Sequence, residues 1–150
     1  MTRADSHAWR DAGLAYLPAD RFAQGGAPAL SLADNAIAGT DGNKDLQTGP
    51  FLRRGKIAAR VRAMIKEFNV RSFGIYERLD SLSGGNAQKL IAARELATRP
   101  KLLIADQPTR GIDVAAAAFL HRRLDEAARS GAAVLLVSAD LDELLRLSDR

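Results

Sequence analysis

Two adjacent glycines mark a segment of this sequence that could bind a phosphate. They lie in SLSGGNAQKL (81–90), directly before a run of helix-forming residues. Glycine is unfavourable inside a helix, so a pair at its start needs a reason. The N-terminus of a helix offers unpaired backbone N–H groups and the positive end of the helix dipole, which together attract anions. An ordinary turn before a helix is the alternative, and the glycine pair alone does not decide between the two.

A second candidate is Asp106, which ends the apolar run KLLIAD (101–106). Such a run predicts a buried strand, and α/β proteins bind ligands at the carboxyl ends of parallel strands. An aspartate at that place can hold Mg²⁺ through water while the metal bridges two phosphates. Strands often end in an acid that caps another group. The order of elements strengthens the interpretation, because a glycine-pair helix, this strand, a proline turn and another helix follow one another.

The composition excludes several other kinds of site. The 150 residues contain no cysteine and only two histidines, His7 and His121. Disulfides, thiolate zinc sites and cysteine nucleophiles are therefore excluded, and a histidine-rich metal site is disfavoured. The sequence shows no secretory signal and no apolar run near the ~18 residues that a membrane span needs. We expect a soluble, cytosolic chain whose membrane role would come through a partner.

A basic stretch, RRGKIAARVRAMIK (53–66), concentrates the positive charge of the chain and contains no acid. It could be a nucleic-acid footprint. We favour the solvated face of an amphipathic helix, because Ile57, Val61, Ile65 and Phe68 form an apolar stripe at helical spacing. No aromatic residue lies on its basic face for a base to stack on.

The C-terminal third predicts the elements that position Asp106. Strands are expected at 101–106 and 132–138, separated by a helix over 112–131 that Asp113 caps and Gly131 ends. A further helix opens at Asp140. This alternation of strand and helix is typical of a parallel α/β sheet.

The rest of the chain predicts one more strand and a helical middle. AGLAYL (12–17) is a short apolar run that stops at Pro18, as a buried strand would. From about residue 25 to 99 we expect helices with no clear strand, among them a short one that Ser31 caps and Gly39 closes. The basic helix is expected over about 51–68, after a polar loop.

At this point the motifs resemble a known family. LSGGN (82–86) followed by LLIADQPTRGID (102–113) resembles the signature motif, Walker B strand and D-loop of ABC ATPases. Five segments together are similar to the second ATPase half of tandem importers for simple sugars and nucleosides: AGLAYLPADR, SLADNAIAG, LSGGNAQK, QPTRGID and LLVSADLDELLRLSDR.

The resemblance implies an α/β fold, namely part of a P-loop NTPase (RecA-like) parallel-sheet core with an inserted helical subdomain. Residues 1–24 would be a core strand and the Q-loop region. Residues 25–99 would be the helical subdomain with the signature motif. Residues 100–150 would return to the core with Walker B, the D-loop and the switch region.

The resemblance also assigns roles to individual residues. Ser83, Gly84 and Gly85 would cap the γ-phosphate of an ATP held by the opposite nucleotide-binding domain. Asn86 stands where many members have glutamine. Asp106 would hold Mg²⁺ through water, and Asp113 would cross the dimer interface from the D-loop, although a plain helix N-cap is the simpler role for it.

Three positions depart from the active pattern of that family. Gln107 replaces the catalytic glutamate, and an amide cannot take a proton from the attacking water; losing a general base typically costs ~10²–10⁴-fold. Ser138 replaces the switch histidine, and Ala19 at the Q-loop position has no oxygen to offer a metal. The sequence contains no G-x-x-x-x-G-K-[ST] loop. We therefore expect a fragment that begins after that loop and is inactive alone.

The implied function is ATP-driven import of sugars or nucleosides, with ATP and Mg²⁺ as ligands. The expected partners are the other ATPase half, membrane-spanning permease subunits and a periplasmic or lipoprotein substrate-binding protein, with no nucleic acid. The expected location is the inner face of the cell membrane, where the cytoplasmic chain would be a peripheral protein. Two alternatives stay open: a soluble ABC ATPase that acts on nucleic acid or the ribosome, and a non-catalytic dimerisation module.

Overall fold

The computed structural model describes residues 6–40 and 45–149, without the side chain of Ser6. The chain divides into two compact units. The core unit comprises Met1–Asp20 and Glu95–Arg150, and the helical unit comprises Arg21–Arg94. Each is described by itself.

The helices and strands follow one another along the chain. They are α1 (Ser6–Asp11), β1 (Leu14–Leu17), α2 (Leu32–Ile37), β2 (Gln47–Thr48), β3 (Phe51–Leu52), α3 (Arg54–Glu67), α4 (Gly84–Leu96), β4 (Leu102–Asp106), α5 (Val114–Arg129), β5 (Ala133–Val137) and α6 (Leu141–Leu147), with a short π-helix at Arg21–Gly25 and a 3₁₀ turn at Leu79–Ser81.

The core unit is built on a parallel sheet of three strands in the order β1-β4-β5. Register pairs Leu17 with Ala105, and Asp106 with Val137. Because the strands are parallel, their carboxyl ends meet at one edge of the sheet. This confirms the parallel α/β core that the C-terminal third predicted and places Asp106 at the end of the middle strand.

The two faces of this sheet differ in burial. Leu17, Leu103 and Ala105 are buried on one face, where α5 adds a buried stripe of its own. The other face is less buried, with Leu102 and Ile104 half-buried, Leu135 53% and Val137 45% exposed. Parallel sheets are normally covered on both faces, and the described residues cover this second face only in part.

In the helical unit, α3 confirms the predicted apolar stripe of the basic helix. Ile57, Val61 and Phe68 are buried, Ile65 is half-buried, and Met64 joins them. The cations lie on the opposite side of this amphipathic helix. Arg60 is half-buried, and the other cations are exposed, namely Arg53, Arg54, Lys56, Arg62 and Lys66.

The prediction that the middle of the chain contains no strand is wrong. β2 and β3 form a small antiparallel hairpin in which Thr48 pairs with Phe51 across a Gly-Pro turn. Gly49 adopts φ +57°, which this tight turn needs and glycine tolerates. Two residues a strand are too few to show a period-2 pattern, so the sequence carried no strand signal. The basic helix consequently begins at Arg54, after the hairpin.

The predicted helix caps are present. Ser31 Oγ accepts from Asp34 N at 3.1 Å, and Asp113 Oδ1 accepts from Ala116 N at 2.8 Å. Asp140 Oδ1 accepts from the backbone N–H groups of the first turn of α6. Each bond satisfies a helix N–H that has no partner within its own helix. These caps fix where α2, α5 and α6 begin.

Candidate functional site

Asp106 lies at the carboxyl edge of the core sheet, next to a tyrosine that the sequence analysis did not select. Tyr16 on β1 donates its hydroxyl to Asp106 Oδ2 at 3.2 Å. Partial burial raises the pKa of the Tyr16 hydroxyl, and the hydrogen bond to Asp106 and its negative charge raise it further. The tyrosine therefore stays a hydrogen-bond donor at neutral pH. Its only signal in the sequence was its place in the predicted strand 12–17.

Gln107 follows Asp106 in an uncommon backbone conformation. Its φ is +49°, in the left-handed region, and its backbone N–H donates to Val137 O at 2.8 Å. Its side-chain Oε1 accepts from the backbone N–H of Ala139 at 3.2 Å. Because a backbone N–H only donates, the amide oxygen must face Ala139. The NH₂ group of Gln107 is thus the part left to face a ligand.

Ser138 lies at the end of β5, and its oxygen is used locally. Ser138 Oγ accepts from Asp140 N at 3.0 Å, in the turn that leads into α6. The hydrogen bond to the Gln107 side chain comes from its neighbour Ala139, through the backbone N–H. The assignment of Ser138 to the switch position stays a prediction.

The turn between β4 and α5 is fastened to α6 by a buried carboxylate. Thr109 Oγ1 donates to Glu143 Oε1 at 2.8 Å, and His121 Nε2 lies 2.7 Å from the same oxygen. Only 2% of the Glu143 side chain and 13% of the His121 side chain are exposed. Sequence reasoning missed this group, since its members lie far apart along the chain.

Two further predicted residues of the core unit are Asp113 and Ala19. Asp113 is exposed and caps α5, as the simpler role required. Ala19 is half-buried just beyond β1, and its methyl group offers no metal ligand. A role for Asp113 across a dimer interface, and the place of Ala19 in the Q-loop, stay predictions.

The predicted signature residues begin α4 in the helical unit. Ser83 immediately precedes the helix, and its carbonyl accepts the first intrahelical bond, from Ala87 N at 2.9 Å. Gly84 and Gly85 form the first turn. The N–H groups of a first helical turn have no acceptor within the helix, so this end can bind an anion.

Asn86 holds Ser83, the predicted signature serine, in place. Its Nδ2 donates to Ser83 Oγ at 2.9 Å, while its Oδ1 accepts from Arg71 N at 3.0 Å. These two bonds fix the orientation of the amide and direct the Ser83 oxygen. Asn86 therefore positions Ser83 and joins the signature turn to the loop that follows α3.

The first glycine of the pair lies against the head group of an arginine. A Cβ at Gly84 would lie 2.8 Å from Nη2 and 3.2 Å from Cζ of Arg21. The absence of a side chain lets the guanidinium group of Arg21 lie against the helix start. This brings a positive charge to the end of α4 that also carries the positive pole of the helix dipole.

The residues at the sheet edge suit Mg²⁺ held by few protein ligands. Among the described residues, no cluster of three or more His, Cys, Asp or Glu could hold a metal ion. Mg²⁺ usually keeps several waters and takes one or two carboxylates together with substrate phosphates. Asp106, half-buried at the strand end with one oxygen bound to Tyr16, fits that pattern.

Comparison with known proteins assigns the family. The model of the family described as ABC transporter matches residues 2–110 of the chain. The chain belongs to the ABC transporter family. This confirms the resemblance carried by LSGGN and LLIADQPTRGID.

Curated ABC relatives include importer proteins. The chain is 42% identical over 135 residues to the nucleoside import ATP-binding protein NupA of Lactococcus lactis, covering 90% of this chain and 27% of that protein. It is 39% identical to the guanosine import ATP-binding protein NupO of Bacillus subtilis, covering 93% and 28%. A putative ribose/galactose/methyl galactoside import ATP-binding protein of Rhizobium etli is 41% identical, with 91% and 26% covered. The ABC chain thus spans about a quarter of the length of these relatives.

A solved ABC structure shares the fold. The dimeric post-hydrolysis state of the ATP-binding cassette MJ0796 bound to ADP and phosphate superposes with a TM-score of 0.72 at 20% identity, covering 94% of this chain and 60% of that one. This confirms the P-loop NTPase fold class. In the described ranges of the ABC chain, no helix is both long and apolar enough to cross a membrane.

Proposed function

We propose that the chain is part of an ATP-binding subunit that drives the import of simple sugars or nucleosides. The support is the family together with relatives named as nucleoside, guanosine and ribose/galactose import ATP-binding proteins. ATP and Mg²⁺ are the proposed ligands. The substrate class rests on those relatives, since the transported molecule does not meet this subunit.

The observation that carries the proposal is the pair Asp106–Gln107 at the end of the middle strand. Asp106 would hold Mg²⁺ through water, and the metal when bound neutralises phosphate charge. Gln107 keeps its amide oxygen on Ala139 N–H and offers only its NH₂ group. An NH₂ group can donate to a phosphate oxygen or orient a water, but it cannot accept the proton of that water. This site would therefore bind ATP and turn it over slowly.

The signature turn supplies the second half of the mechanism. Ser83, Gly84 and Gly85 would donate hydrogen bonds to the γ-phosphate of an ATP held by the other ATPase half. The support is the position of the glycine pair in the N-terminal turn of α4 and the hydrogen bond by which Asn86 directs Ser83. A site of this kind acts only when two halves close on the nucleotide. The chain alone would thus be inactive.

The proposed partners follow from this arrangement. They are the other ATPase half, membrane-spanning permease subunits and a substrate-binding protein outside the membrane, and no nucleic acid. The subunit would lie at the inner face of the cell membrane and be held there by the permease. Closing of the two halves on ATP would pull on the permease, and hydrolysis would reopen them.

The test is ATP binding and hydrolysis by this chain alone and mixed with the other ATPase half. We expect no tight Mg²⁺-dependent ATP binding by the chain alone and stimulated turnover in the mixture. Replacement of Ser83 by alanine should remove that stimulation. Tight Mg²⁺-dependent binding by the chain alone, or equal turnover with and without it, would contradict the proposal.

A further inference from the structure

Glu143 is a buried charged residue that the proposed chemistry does not use. Its side chain is 2% exposed, and it lies in the first turn of α6. Its Oε1 accepts from the Thr109 hydroxyl at 2.8 Å and is 2.7 Å from His121 Nε2. Burying a carboxylate is costly unless it is well partnered, and an apolar side chain of similar volume would fill the space at lower cost.

The contacts of Glu143 close a ring of hydrogen bonds around the end of the sheet. Gln107 Oε1 binds Ala139 N, and two residues on, Thr109 binds Glu143. Between Ala139 and Glu143 the chain is held by Asp140, whose Oδ1 accepts from Glu143 N at 3.3 Å. We call residues 107–109 and 139–143 the switch ring. On the 107–109 side of the ring, Pro108 is fully buried and restricts the backbone between Gln107 and Thr109.

The ring is connected to the D-loop on its own chain. Arg110 N donates to Gln107 O at 3.1 Å, and Ile112 N lies 3.4 Å from Thr109 O. Thr109 is four residues before Asp113, the cap of α5. A displacement of the Gln107 side chain can therefore reach residues 110–113 in two ways. One is through the backbone, and the other is through Ala139, α6 and Glu143.

We propose that Glu143 is a positioning residue that makes the end of β4, the start of α6 and the D-loop respond to nucleotide as one unit. The inference rests on the proposed function, since it takes the ligand at Gln107 to be a nucleotide phosphate. Glu143 touches neither nucleotide nor metal in this scheme. It transmits a shift of the Gln107–Ala139 contact to Thr109, and thus to residues 110–113.

The test is hydrogen–deuterium exchange of residues 110–113 in the complete ATP-binding protein, with and without Mg²⁺-ATP. Thr109→Val keeps the β-branched shape and removes the donor to Glu143, and Thr109→Ser keeps the hydroxyl. Glu143→Met removes the oxygen that accepts from Thr109 at a similar side-chain volume, and it is a second variant should the first fold poorly. Glu126→Gln is the matched control, because it removes a carboxylate that pairs with Arg123 at the surface of α5, where 57% of its side chain is exposed.

In the unaltered protein ATP should slow exchange of residues 110–113 by about fivefold or more, the usual range of coupling between sites. Thr109→Val and Glu143→Met should bind ATP with similar affinity but lose that slowing, whereas Thr109→Ser and Glu126→Gln should retain it. A merely structural role would change the basal exchange and leave the response to ATP intact. Retention of the response in Thr109→Val would overturn the inference.

A second arm separates this inference from the proposed function. It is a double-mutant cycle of Gln107→Ala and Thr109→Val, in which the hydrogen exchange of residues 110–113 is measured without nucleotide. If the ring acts as a unit, the double variant should exchange no faster than the more affected single variant. If the effects of the two substitutions on the exchange rate multiply in the double variant, the hypothesis that the ring acts as a unit is wrong, even if the protein binds ATP. Absence of ATP binding by the unaltered protein would reject the proposed function, and the cycle would still decide on the ring.

Discussion

Gln107 and Ala139 are joined by a hydrogen bond of 3.2 Å, from the backbone N–H of Ala139 to the side-chain oxygen of Gln107. A glutamate at position 107 could make the same bond with one carboxylate oxygen and keep the other for a water. In the complete protein we therefore expect Gln107→Glu to raise ATP turnover at this site by about 10²-fold, the lower range for a general base. Single-turnover hydrolysis measures it.

The control for this change is Gln47→Glu, because Gln47 is also half-buried but lies in the hairpin of the helical unit. It should leave turnover unchanged. Equal turnover of Gln107→Glu and the unaltered protein would show that slow hydrolysis is not caused by the amide.

Tyr16→Phe tests whether the tyrosine orients the proposed Mg²⁺ carboxylate. The change removes the hydroxyl that donates to Asp106 Oδ2 and keeps the ring. Loss of one hydrogen bond to a charged group should weaken Mg²⁺-dependent ATP binding by roughly tenfold. Titration calorimetry with and without Mg²⁺ is the measurement, and Tyr76→Phe, at a side chain 76% exposed, is the control. An unchanged dependence on Mg²⁺ would mean that Asp106 needs no help from Tyr16.

Arg94→Met should destabilise the helical unit. Arg94 is 7% exposed and donates to Gly25 O at 2.7 Å and to Asn35 O at 3.3 Å. Methionine fills a similar volume but leaves two buried carbonyl groups without these donors, at a cost of about 2–4 kcal/mol. Hydrogen exchange of residues 25–35 should speed up accordingly, while the exposed control Arg62→Met should have little effect. Unchanged protection at 25–35 would show that Arg94 does not hold this loop.

The pH dependence of one surface pair can be predicted with its sign. The hydrogen bond from Arg78 lowers the pKa of Asp80 below its usual 3.8, and the positive charge of Arg78 adds to this. A depressed pKa means that the pair stabilises the fold above pH 3.8 and stops doing so as the pH falls through the lowered value. Arg78→Gln should bring the pKa of Asp80 back towards its usual value, as measured by carbon NMR titration. The same titration curve in both proteins would contradict the pairing.

The sequence predicted the features that depend on neighbouring residues. The caps at Ser31 and Asp113, and the strand that ends at Asp106, arise from patterns within a few positions. The hydrogen bonds that define the candidate site join residues far apart, with 32 positions between Gln107 and Ala139 and 34 between Thr109 and Glu143. No local pattern encodes such pairs, because they exist only once parallel strands have aligned. The contact of Tyr16 with Asp106, 90 positions away, was missed for the same reason.

The left-handed backbone conformation of Gln107 also restricts which amino acids this position can accept. At φ +49° a β-branched side chain is strained, so valine, isoleucine and threonine are disfavoured whatever their chemistry. Of the unbranched side chains, glutamine and glutamate have both the reach and the oxygen to bind Ala139. If Gln107 acts at the attacking water as proposed, exchange between these two side chains changes proton transfer and leaves the backbone undisturbed. A single substitution could then convert this site between slow and fast hydrolysis in the course of evolution.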